Sequence, residues 1–232
     1  MHLAFLDIKA AYDSVPRSEL WRRCEVIGLP DFLIRTLRAL FDHNSSQLAI
    51  KQKRCSPYGL PAGVLQGSVL SPILYSIYLD LLVFKLRILG PGVRLGGSVS
   101  DNFINALLYA DDIVLIANTR SNLQQLLGIA ERDSVARGYR FSPAKCVILS
   151  PLKRALKLYG AALTHQRCFS YLGMEFTYRG INLKGHFKSR ISKAEKTANL
   201  LRQVGARFRN FPARINVQLH TVSFTTLHHP LP

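Results

Sequence analysis

Residues Ala106 to Ala117 read ALLYADDIVLIA, two adjacent carboxylates, Asp111 and Asp112, inside a run that is otherwise almost wholly apolar. Two neighbouring charges are too costly to bury unless something compensates them. The apolar runs on either side are short and rich in Leu, Ile and Val, which predicts two buried strands joined by a tight turn. The acids then stand at a hairpin tip. A rigid acidic tip suits hard divalent cations, which take oxygen ligands and bridge carboxylates to phosphates.

The rest of the chain sets the context for that tip. Its 232 residues, 48% of them hydrophobic, suffice for one large domain or a domain with an appendage. A net charge of +17, from 31 Lys and Arg against 14 Asp and Glu, makes a polyanion the first partner to consider. An acidic membrane surface is the second, and a basic surface kept for solubility is the third. Cys24, Cys55, Cys146 and Cys168 are widely spaced and form no CxxC pair, so neither a zinc site nor a disulfide framework is indicated. The N-terminal MHLAFLDIKAAYD has no basic region ahead of its apolar segment and carries Asp7 within it, unlike a signal peptide. The expected setting is intracellular, in the nucleus or cytoplasm, and not secreted. Val69 to Leu89 is apolar, but Pro72, Asp80, Lys85 and Arg87 interrupt it, which predicts a helix inside a core and no membrane span.

Along the chain, His2 to Leu6 reads as a buried strand ending at Asp7. Arg17 to Ile27 reads as a helix closed by Gly28, and Pro30 opens a second helix through Leu40. A strand over Gln47 to Lys51 precedes a glycine and proline loop, Pro57 to Gly67, which leads into the apolar helix from about Val69. Ser121 is the expected N-cap of a helix that runs to Arg137, with Gly138 as its stop. Short strands follow at Cys146 to Ser150, Leu156 to Tyr159 and Ser170 to Phe176. The order predicts an α+β plan with a mixed sheet and helices on one face. Between Arg179 and Arg214 there are ten Lys or Arg and one acid, Glu195. A basic helix over about Leu183 to Val204 is expected there, either as a solvated face or as a grip on a phosphate backbone.

Asp7 terminates the first apolar strand as Asp111 terminates a later one. If the two strands are neighbours in one sheet, their carboxylates converge on a common pair of metal ions. Two such ions about 4 Å apart activate an attacking hydroxyl and stabilise the leaving oxygen of an in-line phosphoryl displacement.

FLDIKAAYDSV, GLPAGVLQGSVLSPILYSIYL, LLYADDIVLIA, the lysine of FSPAKCVIL, and YLGMEF stand in the order of motifs A to E of reverse transcriptases. The chain resembles the non-LTR (LINE-type) retrotransposon enzymes of that family over residues 1–177. The resemblance implies a right-hand polymerase palm, an antiparallel sheet with helices packed on one face, followed by a partial helical thumb over 178–216 and an irregular tail over 217–232. It implies an RNA-directed DNA polymerase that uses two Mg²⁺ ions, or Mn²⁺ in their place, an RNA template, a DNA primer and deoxynucleoside triphosphates.

Carried over by position, the resemblance makes Asp7 and Asp111 metal ligands, Asp112 the supporting acid, and the main-chain carbonyl of Ile8 a further oxygen. Tyr12 matches the aromatic that blocks a ribose 2′-hydroxyl; the alternative for it, the less favoured one, is an aromatic that fills the core. Gln66 and Gly67 match the motif B loop against the incoming nucleotide, where Gly63 and Gly67 let backbone approach a ligand and Gln66 offers a donor and an acceptor. Lys145 matches the lysine that protonates departing pyrophosphate; Ser142 stands where the family often has Asn. Tyr171, Leu172 and Gly173 match the primer grip, and Lys184, Lys188, Arg190, Lys193 and Lys196 are the expected phosphate contacts.

Members of the family carry a basic fingers segment ahead of motif A, whereas Met1 stands six residues before Asp7. The expectation is a palm whose fingers come from a missing upstream segment or from a partner chain, with a rate lowered by several powers of ten without them. A catalytically silent nucleic-acid-binding remnant is the alternative from another class. The spacing of Asp7 and Asp13 also leaves open an RNA-dependent RNA polymerase, and group II intron maturases share the palm.

Overall fold

The computed structural model describes residues 1–42, 44–47, 49–50, 53–94, 103–152 and 154–207. The chain divides into two compact units, Met1–Gln166 and Arg167–Pro232.

The first unit is built on a five-stranded sheet. Its strands are β1 (His2–Leu6), β2 (Ala106–Tyr109), β3 (Asp112–Ala117), β4 (Val147–Leu149) and β5 (Thr164–Gln166), in the spatial order β5-β4-β1-β3-β2. All neighbours are antiparallel except β4 and β5. β1 lies at the centre because both of its faces are covered: all five residues are buried. Side chains alternate between the faces of a strand. Ala4, Leu6, Ile113, Leu115, Ala117 and Ile148 accordingly belong to the helix-facing core, while Leu3, Phe5, Val114 and Val147 lie buried on the other face.

Among its described residues this unit has four helices, α1 (Arg17–Val26), α2 (Asp31–Phe41), α3 (Ser71–Leu89) and α4 (Arg120–Arg137). α3 and α4 pack on each other and on the sheet, burying Leu74, Leu79, Leu82, Leu123, Leu126 and Leu127. Each buried Leu contributes about 1.5–3 kcal/mol, so this layer dominates the stability of the unit. Asp133 is buried within it. It accepts from Lys85 Nζ at 2.8 Å, from Arg137 Nε at 3.0 Å and from the Tyr139 hydroxyl at 2.8 Å. Burial by itself would raise the Asp133 pKa, but Arg137, Lys85 and Tyr139 hold it below the usual carboxylate value. Among the described residues, no helix is long and apolar enough to cross a membrane.

Local sequence accounts for most boundaries. Gly28 and Gly138, at φ +84° and +80°, end α1 and α4 in the left-handed conformation that glycine adopts without strain. Three expectations change. The expected strand over Ser170 to Phe176 is broken at Leu172 and Gly173 into two paired strands. Thr119 caps α4, its hydroxyl accepting from the Asn122 amide at 3.1 Å, and Ser121 lies inside the helix. Of the expected strand over Gln47 to Lys51, Ala49–Ile50 is a strand, paired with Lys53–Arg54, and Gln47 lies outside it, while Ser45–Ser46 pairs with Tyr58–Gly59. Positions 48 and 51 lie outside the described residues.

The second unit opens with a three-stranded antiparallel sheet, β6 (Cys168–Tyr171), β7 (Met174–Thr177) and β8 (Gly180–Ile181), followed by α5 (Leu183–Arg207). Leu172 and Gly173 join β6 to β7 at φ +47° and +75°, two consecutive left-handed residues whose twist matches the flanking strands. Asn182 opens α5, its side-chain oxygen accepting from the Gly185 amide at 3.1 Å. Residues 208–216 of the expected thumb and the expected tail, 217–232, lie outside the described residues.

Candidate active site

β1 and β3 pair with Leu6 opposite Ile113. One residue further, the same register sets Asp7 opposite Asp112, on the face away from the helices. Asp111 is the second residue of the two-residue turn between Tyr109 and Asp112, with Ala110 at φ +53°. Strand pairing therefore draws Asp7 to the acidic hairpin tip. The cost of this proximity is visible at Asp112, whose pKa is raised by burial and then by the negative charges of Asp111 and Asp7.

Past Asp7 the chain leaves the sheet through an isolated bridge between Ile8 and Phe141. The Ser142 amide donates to the Asp7 carbonyl at 2.8 Å and the Lys9 amide to the Arg140 carbonyl at 2.8 Å. Those bonds bracket Ile8 and leave its own main-chain groups pointing away from Phe141, toward the side on which β3 and the hairpin turn lie. Ser142 also starts the turn that presents Lys145: its carbonyl accepts from the amides of Lys145 and Cys146 at 2.9 and 3.0 Å. Lys145 Nζ then sits 3.6 Å from Asp7 Oδ2. Ser142 thus supports Lys145 through main-chain bonds.

Asp7 Oδ2 is buried and accepts no hydrogen bond. Among the described residues, no three His, Cys, Asp or Glu side chains are closed into a cage for an ion. Hard oxygen donors, one of them buried and without a hydrogen bond, fit a divalent cation in kind.

The segment after Asp7 is fastened to the glycine and proline loop at several points. The amides of Gly63 and Val64 donate to the carbonyls of Val15 and Tyr12 at 2.9 and 2.8 Å. Arg17, buried at the start of α1, donates from Nε to the Gly63 carbonyl at 2.9 Å and from Nη2 to the Ala62 carbonyl at 3.3 Å. Gln66 Nε2 reaches both carboxylate oxygens of Asp13, at 3.1 and 3.2 Å. These contacts revise the reading of Gly63. A Cβ there would meet Asp13 main-chain atoms at 2.9 Å, so Gly63 admits the neighbouring chain and not a ligand. Gly67, at φ +84°, has open space where its Cβ would be.

Tyr12 is half-buried, and its pKa is raised by burial and by Asp111. In the second unit, Tyr171, Leu172 and Gly173 form the hairpin tip, and an added Cβ on Gly173 would come within 3.3 Å of Arg190 Nη2. Lys184, Lys188, Lys193 and Lys196 are exposed on α5, and Arg190 is partly buried. The role of Arg17 was not legible in the sequence, because an Arg opening a helix ordinarily faces solvent. Only the apolar letters around it, Val15, Leu20 and Trp21, hinted at burial.

This fold and this arrangement of acids define a polymerase palm. Apo telomerase from Candida tropicalis, truncated from its C-terminal domain, shares the fold with a TM-score of 0.55 at 14% identity, over 76% of this chain and 34% of that one. The chain belongs to the reverse transcriptase (RNA-dependent DNA polymerase) family, whose model matches residues 1–176. Its relatives are Pol proteins of non-LTR retrotransposons. The R2 Pol polyprotein of Nasonia vitripennis is 29% identical over 65% of this chain and 14% of its own length. The R2DM polyprotein of Drosophila melanogaster is 27% identical over 99% and 22%, and the polymerase of the Drosophila melanogaster element jockey is 22% identical over 82% and 22%. This chain therefore spans well under a third of the length of each of these curated relatives. Reverse transcriptases in general use divalent metal ions.

Proposed function

We propose that the chain is the palm and first thumb helix of a non-LTR retrotransposon polymerase, extending the 3′-hydroxyl of a DNA primer on an RNA template with deoxynucleoside triphosphates. The observation that carries this reading is the strand register that sets Asp7 opposite Asp112 and beside the turn of Asp111. Asp7, Asp111 and the Ile8 carbonyl would hold two Mg²⁺ or Mn²⁺ ions, with Asp112 in support. Such ions, when bound, supply activation of the attacking hydroxyl and charge neutralisation at the leaving pyrophosphate.

The protein's own groups do the rest. Lys145 delivers a proton to the leaving pyrophosphate, a role suited to a cation beside the acids. Its contact with Asp7 orients the amine until substrate is present. Tyr12 faces the sugar and excludes a 2′-hydroxyl, while Gln66 and Gly67 border the base and the template. The Leu172–Gly173 hairpin with Tyr171 grips the primer end. Lys184, Lys188, Arg190, Lys193 and Lys196 hold the phosphate backbone, so affinity should fall by roughly one power of salt concentration for each phosphate neutralised. On this reading the palm covers 1–177 and the thumb begins at 178. The work is done inside the cell, in nucleus or cytoplasm.

Incorporation of a labelled deoxynucleotide on a primed RNA template, by the wild-type chain and by Asp111→Asn, tests the reading. Product that depends on Asp111 is expected. Signals from both chains no higher than that of a protein-free control would leave a nucleic-acid-binding module without chemistry, and equal signals above it would remove Asp111 from the site. Preference for ribonucleotides would instead favour an RNA polymerase; the engagement of Asp13 by Gln66, which gives that acid a partner inside the fold, speaks against it.

A further inference from the structure

The Tyr12 ring does not stand alone. It stacks face to face on Tyr75 of α3, with centroids 4.9 Å apart and planes 14° from parallel. Tyr75 is 1% exposed. From it the aromatic contacts continue to Tyr78 at 6.3 Å, from Tyr78 to Tyr139 at 5.9 Å, and from Tyr139 to Phe141 at 5.5 Å. Phe141 closes the series, because its main chain bridges Ile8, the neighbour of Asp7. A row of rings therefore runs from Tyr12 back to the residue that follows Asp7.

A side chain excludes a hydroxyl group only if it cannot step aside, and a half-exposed aromatic ring changes rotamer at modest cost. Tyr12 is held at both ends. Its carbonyl accepts from the Val64 amide at 2.8 Å, and the buried face of its ring rests on Tyr75. The Tyr75 hydroxyl is buried without a hydrogen-bond partner, and burial raises its pKa. A hydroxyl in that state adds nothing to holding the residue in place. The packing of the ring does.

We propose that Tyr75 is a positioning residue for sugar selection: it is the rigid backing that fixes the Tyr12 ring over the 2′ position, so ribonucleotide exclusion belongs to the pair. The inference rests on the reading of Tyr12 as the residue that faces the sugar. The rings behind Tyr75 carry the restraint to the β1 end, so the height of the gate is set relative to Asp7 itself.

The test compares the 232-residue chain with Tyr75→Leu, Tyr75→Phe and Tyr12→Val, reading both incorporation and calorimetric binding of dGTP and GTP with Ca²⁺ present. Tyr75→Leu should lower the deoxy-over-ribo ratio by about tenfold, at the low end of what steric pocket contacts contribute, chiefly by admitting GTP. Tyr75→Phe keeps the ring and should leave the ratio within about twofold, without lowering the Tm. Tyr75→Met replaces Tyr75→Leu if the latter does not fold. A wild-type ratio in Tyr75→Leu alongside a collapsed ratio in Tyr12→Val overturns the proposal, as does a loss in Tyr75→Phe equal to that in Tyr75→Leu. A chain that binds nucleotides but incorporates none defeats the polymerase reading, and the binding ratios then decide the role of Tyr75. Equal binding of dGTP and GTP by the wild-type chain overturns it.

Discussion

Asp133, on α4 where it meets Lys85 of α3, and the acids at the β1 and β3 ends are carboxylates of one compact unit treated in opposite ways. Asp133 is 1% exposed, yet cations and a hydroxyl surround it, and its pKa lies below the ordinary value. The Arg137 guanidinium that pairs with it also lies over the rings of Tyr78 and Tyr139, at 4.8 and 5.2 Å. At the hairpin, burial and the neighbouring charges of Asp111 and Asp7 push Asp112 the other way, and Asp7 keeps a buried oxygen without a hydrogen bond. Charge that holds the structure together is neutralised by the chain itself. Charge at the site is left in excess, which suits a ligand that brings the opposite sign.

The largest expected contrast is in activity. Asp111→Asn should cut incorporation by about a thousandfold or more, the scale of transition-state charge stabilisation lost with a metal ligand, while leaving Tm unchanged or higher as repulsion is relieved. Primer extension and a thermal melt on the same sample check both halves. Asp133→Ala should do the reverse. Leaving Arg137 and Lys85 buried without their carboxylate should cost about 3–5 kcal/mol in urea unfolding. An Asp133→Ala chain as stable as the wild type would remove the contrast.

A smaller effect separates the groups by ligand. Mg²⁺ at ten times its Kd should stabilise the wild-type chain by about 1.4 kcal/mol, and Asp7→Asn should abolish the shift while Asp133→Asn retains it in relative terms. The smallest effect is in the pH profile. Asp112 has a raised native pKa, so between the ordinary carboxylate value and that raised value the native state binds more protons than the unfolded chain. Its contribution to stability therefore falls as pH rises through that window, and Asp112→Asn should flatten the fall. Asp133 acts oppositely: its contribution is full above the ordinary value and is lost as pH drops toward its lowered native value. Urea midpoints across the acidic range resolve the two slopes.

How far the site was legible follows from which interactions are local. The hairpin at Asp111, the strand ending at Asp7 and the helix stop at Gly138 are written in runs of apolar letters and in glycine. Thr119 took the cap from Ser121 because both are competent caps two residues apart, and the helix start decides between them. Gly63 was assigned to a ligand because sequence shows that a close approach occurs without showing what approaches. The Asp133–Arg137 spacing of four residues on a helix did carry a local signal, but the arrival of Lys85 and Tyr139 did not.

By itself the sequence determined the elements, the acids at the ends of apolar strands, and five ordered motifs that identify the family, since all of these depend on residues close together in the chain. The tertiary structure alone decided that Asp7 faces Asp112, that Arg17 turns inward to hold the Ala62 and Gly63 carbonyls, and that Tyr75 lies beneath Tyr12. Each of these contacts joins segments that are distant in sequence. Register and packing select such partners through the free energy of the whole sheet and its helix layer, and no local pattern contains that sum.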